Sequence, residues 1–233
     1  RIEHVLAMKK LVVLSGAGVS QESGIATFRD ADGLWEGHDV MEVASPDGWT
    51  RNPELVLDFY NQRRKAALNA KPNPAHEIIA ELEEHFEVSV ITQNVDHLHE
   101  DGGSTNVVHL HGKLFESRST VDDKLIYPVE GWELKLGDKC DLGSQLRPNI
   151  VWFGEMVPMM EVAAQIASQA DVFIIVGTSL MVYPAAGLID YVPAHATSFL
   201  VDPNATGLPA YYDIRVIKEK ATKGMQQIWD SIV

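Results

Sequence analysis

Short apolar runs that break off into glycine-rich or polar residues restrict the fold of this chain more than any other feature of its sequence. Leu11 to Leu14 leads into Ser15-Gly16-Ala17-Gly18, Val88 to Thr92 into Gln93-Asn94-Val95-Asp96, and Val172 to Val176 into Gly177-Thr178-Ser179. Their length and β-branched content suit buried strands, and Val107 to Leu110, Ser198 to Val201 and Ile214 to Ile217 extend the series. Helical spacing lies between them. One pattern starts at Pro53, with Asn52 placed to cap it and Leu55, Val56, Phe59 and Tyr60 on one side, and stops before Lys71-Pro72-Asn73-Pro74. Others cover about Ala75 to His85, Glu161 to Gln169 and Lys220 to Ile232. Residues 113–148 are polar, irregular and poor in periodicity, and read as an excursion from the main sheet. Strands alternating with helices indicate an α/β fold on a parallel sheet. Ligands of such sheets lie beyond the carboxyl ends of the strands, where the polar clusters fall.

Composition narrows the function. At 233 residues, 45% hydrophobic and 22% charged, the chain can bury a sizeable core as one large domain, or a large domain with a smaller inserted one. No apolar run is long enough to span a membrane and no secretory signal is visible, so a cytoplasmic location without membrane attachment is expected. Residues 1–7 precede a plausible initiator, Met8, and carry no argument. The single cysteine, Cys140, excludes an internal disulfide framework and an all-cysteine metal site. A net charge of −14 argues against sequence-independent nucleic-acid binding and tolerates lysine-rich protein partners.

The first turn carries the earliest chemical signal. Gly16 and Gly18 have no Cβ to obstruct the approach of a pyrophosphate to the backbone. Gln21 stands where the common dinucleotide fingerprint has its third glycine, which disfavours a dehydrogenase. Histidines supply a second signal. His97 with His99, and His109 with His111, form two H-x-H pairs, a spacing that on a strand shares one face and can bind metal. Only Asp96 and Glu100 stand near as extra ligands, so a metal site is disfavoured and His99 and His109 read as structural.

Gly16-Ala17-Gly18-Val19-Ser20, Gly24 to Asp30 (GIATFRD), Gln93-Asn94-Val95-Asp96, His109-Leu110-His111-Gly112, Val151 to Glu155 (VWFGE) and Gly177-Thr178-Ser179-Leu180 occur in the order in which sirtuins carry them. The chain therefore resembles a sirtuin, an NAD-dependent protein-lysine deacylase, along nearly its whole length. The resemblance implies a Rossmann-type parallel sheet flanked by helices, with a smaller domain formed by two insertions. Residues 1–30, 75–112 and 150–233 would make the NAD-binding large domain, and 31–74 with 113–149 the small one. It implies that Gly16, Ala17, Gly18, Ser20, Gly177, Thr178 and Ser179 hold the NAD phosphates and neighbouring ribose, with Asn204 and Ala221 at the adenosine end. Gln93, Asn94 and Asp96 would surround the nicotinamide and its ribose, Asn94 taking part in catalysis, while Thr27, Phe28 and Arg29 cover the reacting face. In sirtuins the substrate amide oxygen attacks the ribose after the nicotinamide bond breaks. A histidine then removes a proton from a ribose hydroxyl, and water releases free lysine and O-acyl-ADP-ribose. His111 is the matching base. The acyl-lysine peptide would lie as an added strand between Val151-Trp152-Phe153-Gly154-Glu155 and the segment holding Val182.

Two departures sharpen the expectation. Most sirtuins hold a structural zinc with four cysteines between the catalytic histidine and the VWFG motif, where this chain has only Cys140. No zinc is predicted, and packing of Leu114, Phe115, Leu125, Ile126, Tyr127, Trp132, Leu134 and Leu136 is expected to hold the small domain instead. Tyr60 and Arg63, one helical turn apart, resemble the branch that removes succinyl and malonyl groups, with Ala44 as the small residue that widens the acyl pocket. A planar guanidinium can meet a carboxylate through two hydrogen bonds and a tyrosine hydroxyl can add a third. The expected function is thus removal of succinyl and malonyl, and also acetyl, groups from protein lysines. The alternatives are a mono-ADP-ribosyltransferase, a plain deacetylase or an NAD-sensing module. A monomer is the working expectation.

Overall fold

In the computed structural model, which describes residues 7–26, 34–180, 184–205 and 208–233, β1 (Lys10–Ser15) is buried on both faces. Leu11 and Val13 belong to one apolar cluster and Val12 and Leu14 to another, so the strand needs cover on each side. The chain then runs through α1 (Gly18–Gln21), α2 (Val40–Val43), α3 (Pro46–Arg51), α4 (Pro53–Ala67) and α5 (Pro74–Glu81) to β2 (Glu87–Thr92). It continues through α6 (Leu98–Asp101), β3 (Val107–His109), β4 (Gly112–Ser119), β5 (Ile126–Pro128) and β6 (Leu146–Ile150). Last come α7 (Met160–Ala167), β7 (Val172–Val176), β8 (Thr197–Val201), β9 (Ile214–Ile217) and α8 (Ala221–Ile232).

Six strands form a parallel sheet in the order β3-β2-β1-β7-β8-β9. With the strands of the second sheet left out of the count, this is the doubly wound order in which the direction of winding reverses once, between β1 and β7. Ile78 and Ile79 of α5 and Met225 and Ile228 of α8 cover one face, and Ala163 and Ala167 of α7 with Leu188 and Ile189 cover the other. Asn73 starts α5 by accepting from the Ala75 N–H, while His76 Nδ1 accepts from the Asn73 N–H. The Asn73 amide also donates to Val19 O at 2.8 Å, tying the helix to the first turn.

The expected parallel architecture is present, with differences in detail. Residues 113–148, read as irregular, contain most of a three-stranded antiparallel sheet in the order β5-β4-β6. Its central strand hides from a hydrophobic-pattern reading because two of its buried residues are Ser117 and Ser119. The short helices α2 and α3 precede the helical pattern that starts at Pro53. They are announced by caps, Asp39 accepting from the Met41 N–H and Ser45 from the Gly48 N–H. Of the residues expected to pack this region, Leu114 and Leu134 are buried, but Ile126 and Leu136 are exposed.

A buried arginine joins the two layers of this region. Arg64, on α4 one residue past Arg63, is 0% exposed. Its Nε donates to Leu114 O at 2.7 Å, and its Nη1 to Trp132 O at 3.0 Å and Asn61 Oδ1 at 2.6 Å. Asn61 pairs in turn with both backbone groups of Leu134. No carboxylate pairs with Arg64 among the described residues. Burial lowers its pKa to about 10, which still leaves it charged at neutral pH. Replacing it by methionine keeps the volume and strands three acceptors. We therefore expect Arg64→Met to lose about 2–4 kcal/mol of stability. The melting temperature should fall by ~5–10 °C for a chain of this length. A urea midpoint equal to that of the parent would show that packing alone joins α4 to β4.

Candidate functional site

The reversal between β1 and β7 brings two turns into backbone contact. The Gly16 N–H donates to Val176 O at 3.0 Å and the Gly18 N–H to Gly177 O at 2.8 Å. A Cβ on Gly16 would stand 2.7 Å from Gly177 O, and one on Gly177, whose φ is +71°, would stand 2.4 Å from Val19 N. These glycines were expected to make room for a ligand. In the structure the missing side chains make room for the facing turn, and two of the N–H groups are already bonded there.

Beside this contact opens a cavity of about 310 Å³. Ala17 and Ser20 line it from the first turn, Gln93, Asn94 and Asp96 from the end of β2, and His111 from the end of β3. Ser20 Oγ donates to Asp96 Oδ2 at 2.9 Å, and Asp96 Oδ1 accepts from the Leu98 N–H, so this carboxylate both braces the turn and starts α6. The Asn94 amide donates to Gly16 O at 3.0 Å and Ser20 Oγ at 3.3 Å, which leaves its Oδ1 as the remaining polar atom. Gln93 Nε2 is buried without a partner among the described residues, a donor suited to a polar ligand.

His111 Nδ1 lies 3.2 Å from Gln93 O. A carbonyl only accepts, so this bond places the proton on Nδ1 and leaves Nε2 as the basic nitrogen. Burial holds the imidazole pKa below 6.5, opposed by the bond to Gln93 O. The other three histidines go elsewhere. His99 Nε2 meets Ser15 Oγ at 2.8 Å, and burial pulls its pKa down to about 3. His109 lies between Asn94 O and Glu100, and His97 faces Asp101. His97 and His99 sit at the start of α6 rather than on a strand, so the strand spacing does not apply to them. Among the described residues no three His, Cys, Asp or Glu side chains are grouped to hold a metal. Cys140 is buried against Leu57, Leu134 and Leu146.

At its other end the cavity is walled by Ala44, Tyr60 and Arg63. Tyr60 is fully buried, and its hydroxyl accepts from the Trp152 indole N–H at 3.1 Å. Burial raises the phenol pKa, against smaller pulls from Trp152 and Arg63, so Tyr60 keeps its proton. That proton meets no acceptor among the described residues. Trp152 is fixed in turn. Its ring lies 3.6 Å from the Arg147 guanidinium, and its backbone N–H donates to Glu155 Oε1 at 2.8 Å. Glu155 takes both Nη groups of Arg147 at 2.9 Å, with Arg118 at 3.3 Å. Burial opposes ionisation of Glu155, but the bonds from Arg147 and the Trp152 N–H hold its pKa below the usual carboxylate range.

Val151, Trp152, Phe153, Gly154 and Glu155, expected to meet a substrate, also line the cavity. The Glu155 carboxylate is committed to the arginines, and the Phe153 N–H donates to Ala44 O at 3.0 Å. Gly16, Gly18 and the Gly177-Thr178-Ser179 turn are not in the lining of the cavity, and Asn204 and Ala221 stand near the ends of β8 and β9. Thr27, Phe28, Arg29 and Val182 lie outside the described residues. The sequence reading missed Trp35, Glu36 and the Arg147–Glu155 pair. A tryptophan in a glycine-flanked loop was the available signal for the first two, since large apolar side chains in loops are uncommon without a contact to make.

The Sir2 family profile matches residues 16–184. An NAD-dependent protein deacylase of Helicobacter pylori is 53% identical over 226 residues, covering 97% of this chain and 98% of that protein. One of Bacteroides thetaiotaomicron is 52% identical over 227 residues, covering 95% and 97%. A solved Sir2 homologue in complex with NAD superposes with a TM-score of 0.86 at 42% identity, covering 96% of this chain and 89% of that one. A doubly wound sheet, a cavity at its point of reversal and relatives matched end to end lead to one conclusion: the chain belongs to the Sir2 family.

Proposed function

We propose that this NAD-dependent protein deacylase acts by preference on lysines carrying short acidic acyl groups, succinyl and malonyl, and accepts acetyl as well. One observation carries the preference: the acyl end of the cavity offers two donors and apolar walls. Trp152 donates to the Tyr60 oxygen, which leaves the Tyr60 O–H to donate onward, beside the Arg63 guanidinium. Two donors against an apolar wall suit a carboxylate and leave the hydrocarbon of the acyl chain against Ala44.

Gln93, Asn94 and Asp96 are proposed to hold the nicotinamide half of NAD, with Gly16, Ala17, Gly18, Ser20 and the Gly177–Ser179 turn at the phosphates and neighbouring ribose and Asn204 and Ala221 at the adenosine. The orphaned Gln93 amide supports that fit. Bound NAD supplies an activated ribose as acyl acceptor. His111 takes up the proton of a ribose hydroxyl on Nε2, a task that needs the neutral ring. Residues 31–74 with 113–149 are proposed as a separate small domain held without zinc, by the Arg64 bonds and the Leu57–Cys140 cluster.

Steady-state rates on succinyl-, malonyl- and acetyl-lysine peptides test the acyl reading. Arg63→Met should lower kcat/KM for the acidic peptides by ~10-fold or more, the scale of a charge-assisted bond, and leave acetyl less affected. Equal efficiencies unmoved by that change would sink the preference. The base reading gives a separate test. His111→Ala should cost ~100-fold or more in turnover while NAD binding persists. In the parent, activity should be full at neutral pH and fall as the ring protonates. Since burial depresses the histidine pKa, the acid limb of kcat/KM should have its midpoint below pH 6.5. A midpoint above that value would remove His111 from the role.

A further inference from the structure

Arg63 shares its end of the cavity with a carboxylate of the protein itself. Glu36 lines the same cavity, and its Oε2 lies 3.6 Å from Arg63 Nη1. The Arg63 side chain is 10% exposed and that of Glu36 41%, so the acid reaches the buried cation from the rim. The turn that presents it is tightly made. Trp35 and His38 exchange two backbone hydrogen bonds of 2.9 and 3.0 Å, and Glu36 and Gly37 both have positive φ, +47° and +81°. That is the type I′ pattern, in which asparagine, aspartate or glycine is the easier choice at the position Glu36 occupies. The turn is anchored by Trp35, which stacks on Arg63 at 4.4 Å and meets Phe59 edge-on at 4.9 Å. Glu36 is thus held where a carboxylate can approach the guanidinium. Arg63 Nε still lacks a hydrogen-bond partner among the described residues, so the guanidinium keeps donor capacity for another group.

We propose that Glu36 is an internal stand-in for the substrate carboxylate and sets how strongly the enzyme distinguishes acidic from neutral acyl chains. The proposal rests on the acyl reading above. A buried guanidinium facing an acetyl group would lack a counter-charge, and Glu36 supplies it, so neutral chains are tolerated. A succinyl or malonyl chain brings its own carboxylate, which gains Arg63 and the Tyr60 hydroxyl together. Glu36 then swings out to solvent, a small loss because its own carboxylate already stands at the exposed rim, 3.6 Å from Arg63. The result is an enzyme whose preference is narrower than the Tyr60–Arg63 pair alone would give.

Kinetics on succinyl- and acetyl-lysine peptides with the parent, Glu36→Gln, Arg63→Met and the double variant test this. Glu36→Gln should raise the succinyl-to-acetyl ratio of kcat/KM by about threefold to fivefold, the worth of a rim ion pair. The gain should come from a lower KM for succinyl-lysine with kcat little moved, and should vanish in the Arg63→Met background. An unchanged or lower ratio in Glu36→Gln, or a shift that persists without Arg63, overturns the proposal. If Arg63→Met leaves the acyl preference of the parent unmoved, the acyl reading itself fails. If Arg63→Met removes the preference while Glu36→Gln does nothing, only the role of Glu36 fails. Should Glu36→Gln not fold, Glu36→Asp, which withdraws the charge by one methylene, should move the ratio the same way by less, and no movement overturns the proposal.

Discussion

The contact of two glycine turns at the point where the sheet reverses fixes everything else in this molecule. β1 and β7 are neighbours, and the turns that leave them can touch only because neither Gly16, Gly18 nor Gly177 carries a side chain there. Once that contact is closed, the end of β2 must sit beside the first turn, and Asn94 and Asp96 reach back to Gly16 O and Ser20. The cavity is what remains outside this knot. Its position is set by the backbone of the two turns, and the side chains of Ser20, Gln93, Asn94 and Asp96 make its polar floor, at a point of winding reversal where ligands recur.

Two adjacent residues of α4 show how one helix can serve two layers. Arg63 stacks on Trp35 and lines the cavity, while Arg64, about 100° further round the helix, is buried against the carbonyls of Leu114 in β4 and Trp132 in the connection from β5 to β6. Tyr60 and Asn61 divide in the same way, one accepting from Trp152 and the other pairing with Leu134. The helix therefore positions its cavity-facing residues by pinning their neighbours.

Most of the parallel sheet was legible because its strands are apolar runs closed by glycine or polar residues, a signal that survives without knowledge of tertiary contacts. The antiparallel sheet was not. Ser117 and Ser119 are buried in β4, so polarity marked as surface what packing had placed inside. Asn94, Asp96 and His111, singled out from their neighbours in sequence, all line the cavity. The site was illegible where two distant segments meet. Nothing near Glu155 announces that Arg147 will grip it, and nothing near Glu36 announces Arg63. The same limit applied to Gly16 and Gly18, whose contact with the facing Gly177 turn joins segments far apart in the chain and has no mark in the local sequence.

The chain of contacts from Arg147 and Glu155 through Trp152 to Tyr60 ties the donor direction of one hydroxyl to strand β6. Proteins open in parts as well as whole, and a small antiparallel sheet is a natural unit for such partial opening. Were the Arg147 end of β6 to open while its Ile150 end stayed paired with Gly112, Trp152 would lose its brace and the Tyr60 hydroxyl would be free to rotate, with the parallel sheet left in place. The proposed acyl selectivity would then melt before the capacity for chemistry does, and amide exchange at Arg147 would report on the fidelity of the enzyme rather than on its survival.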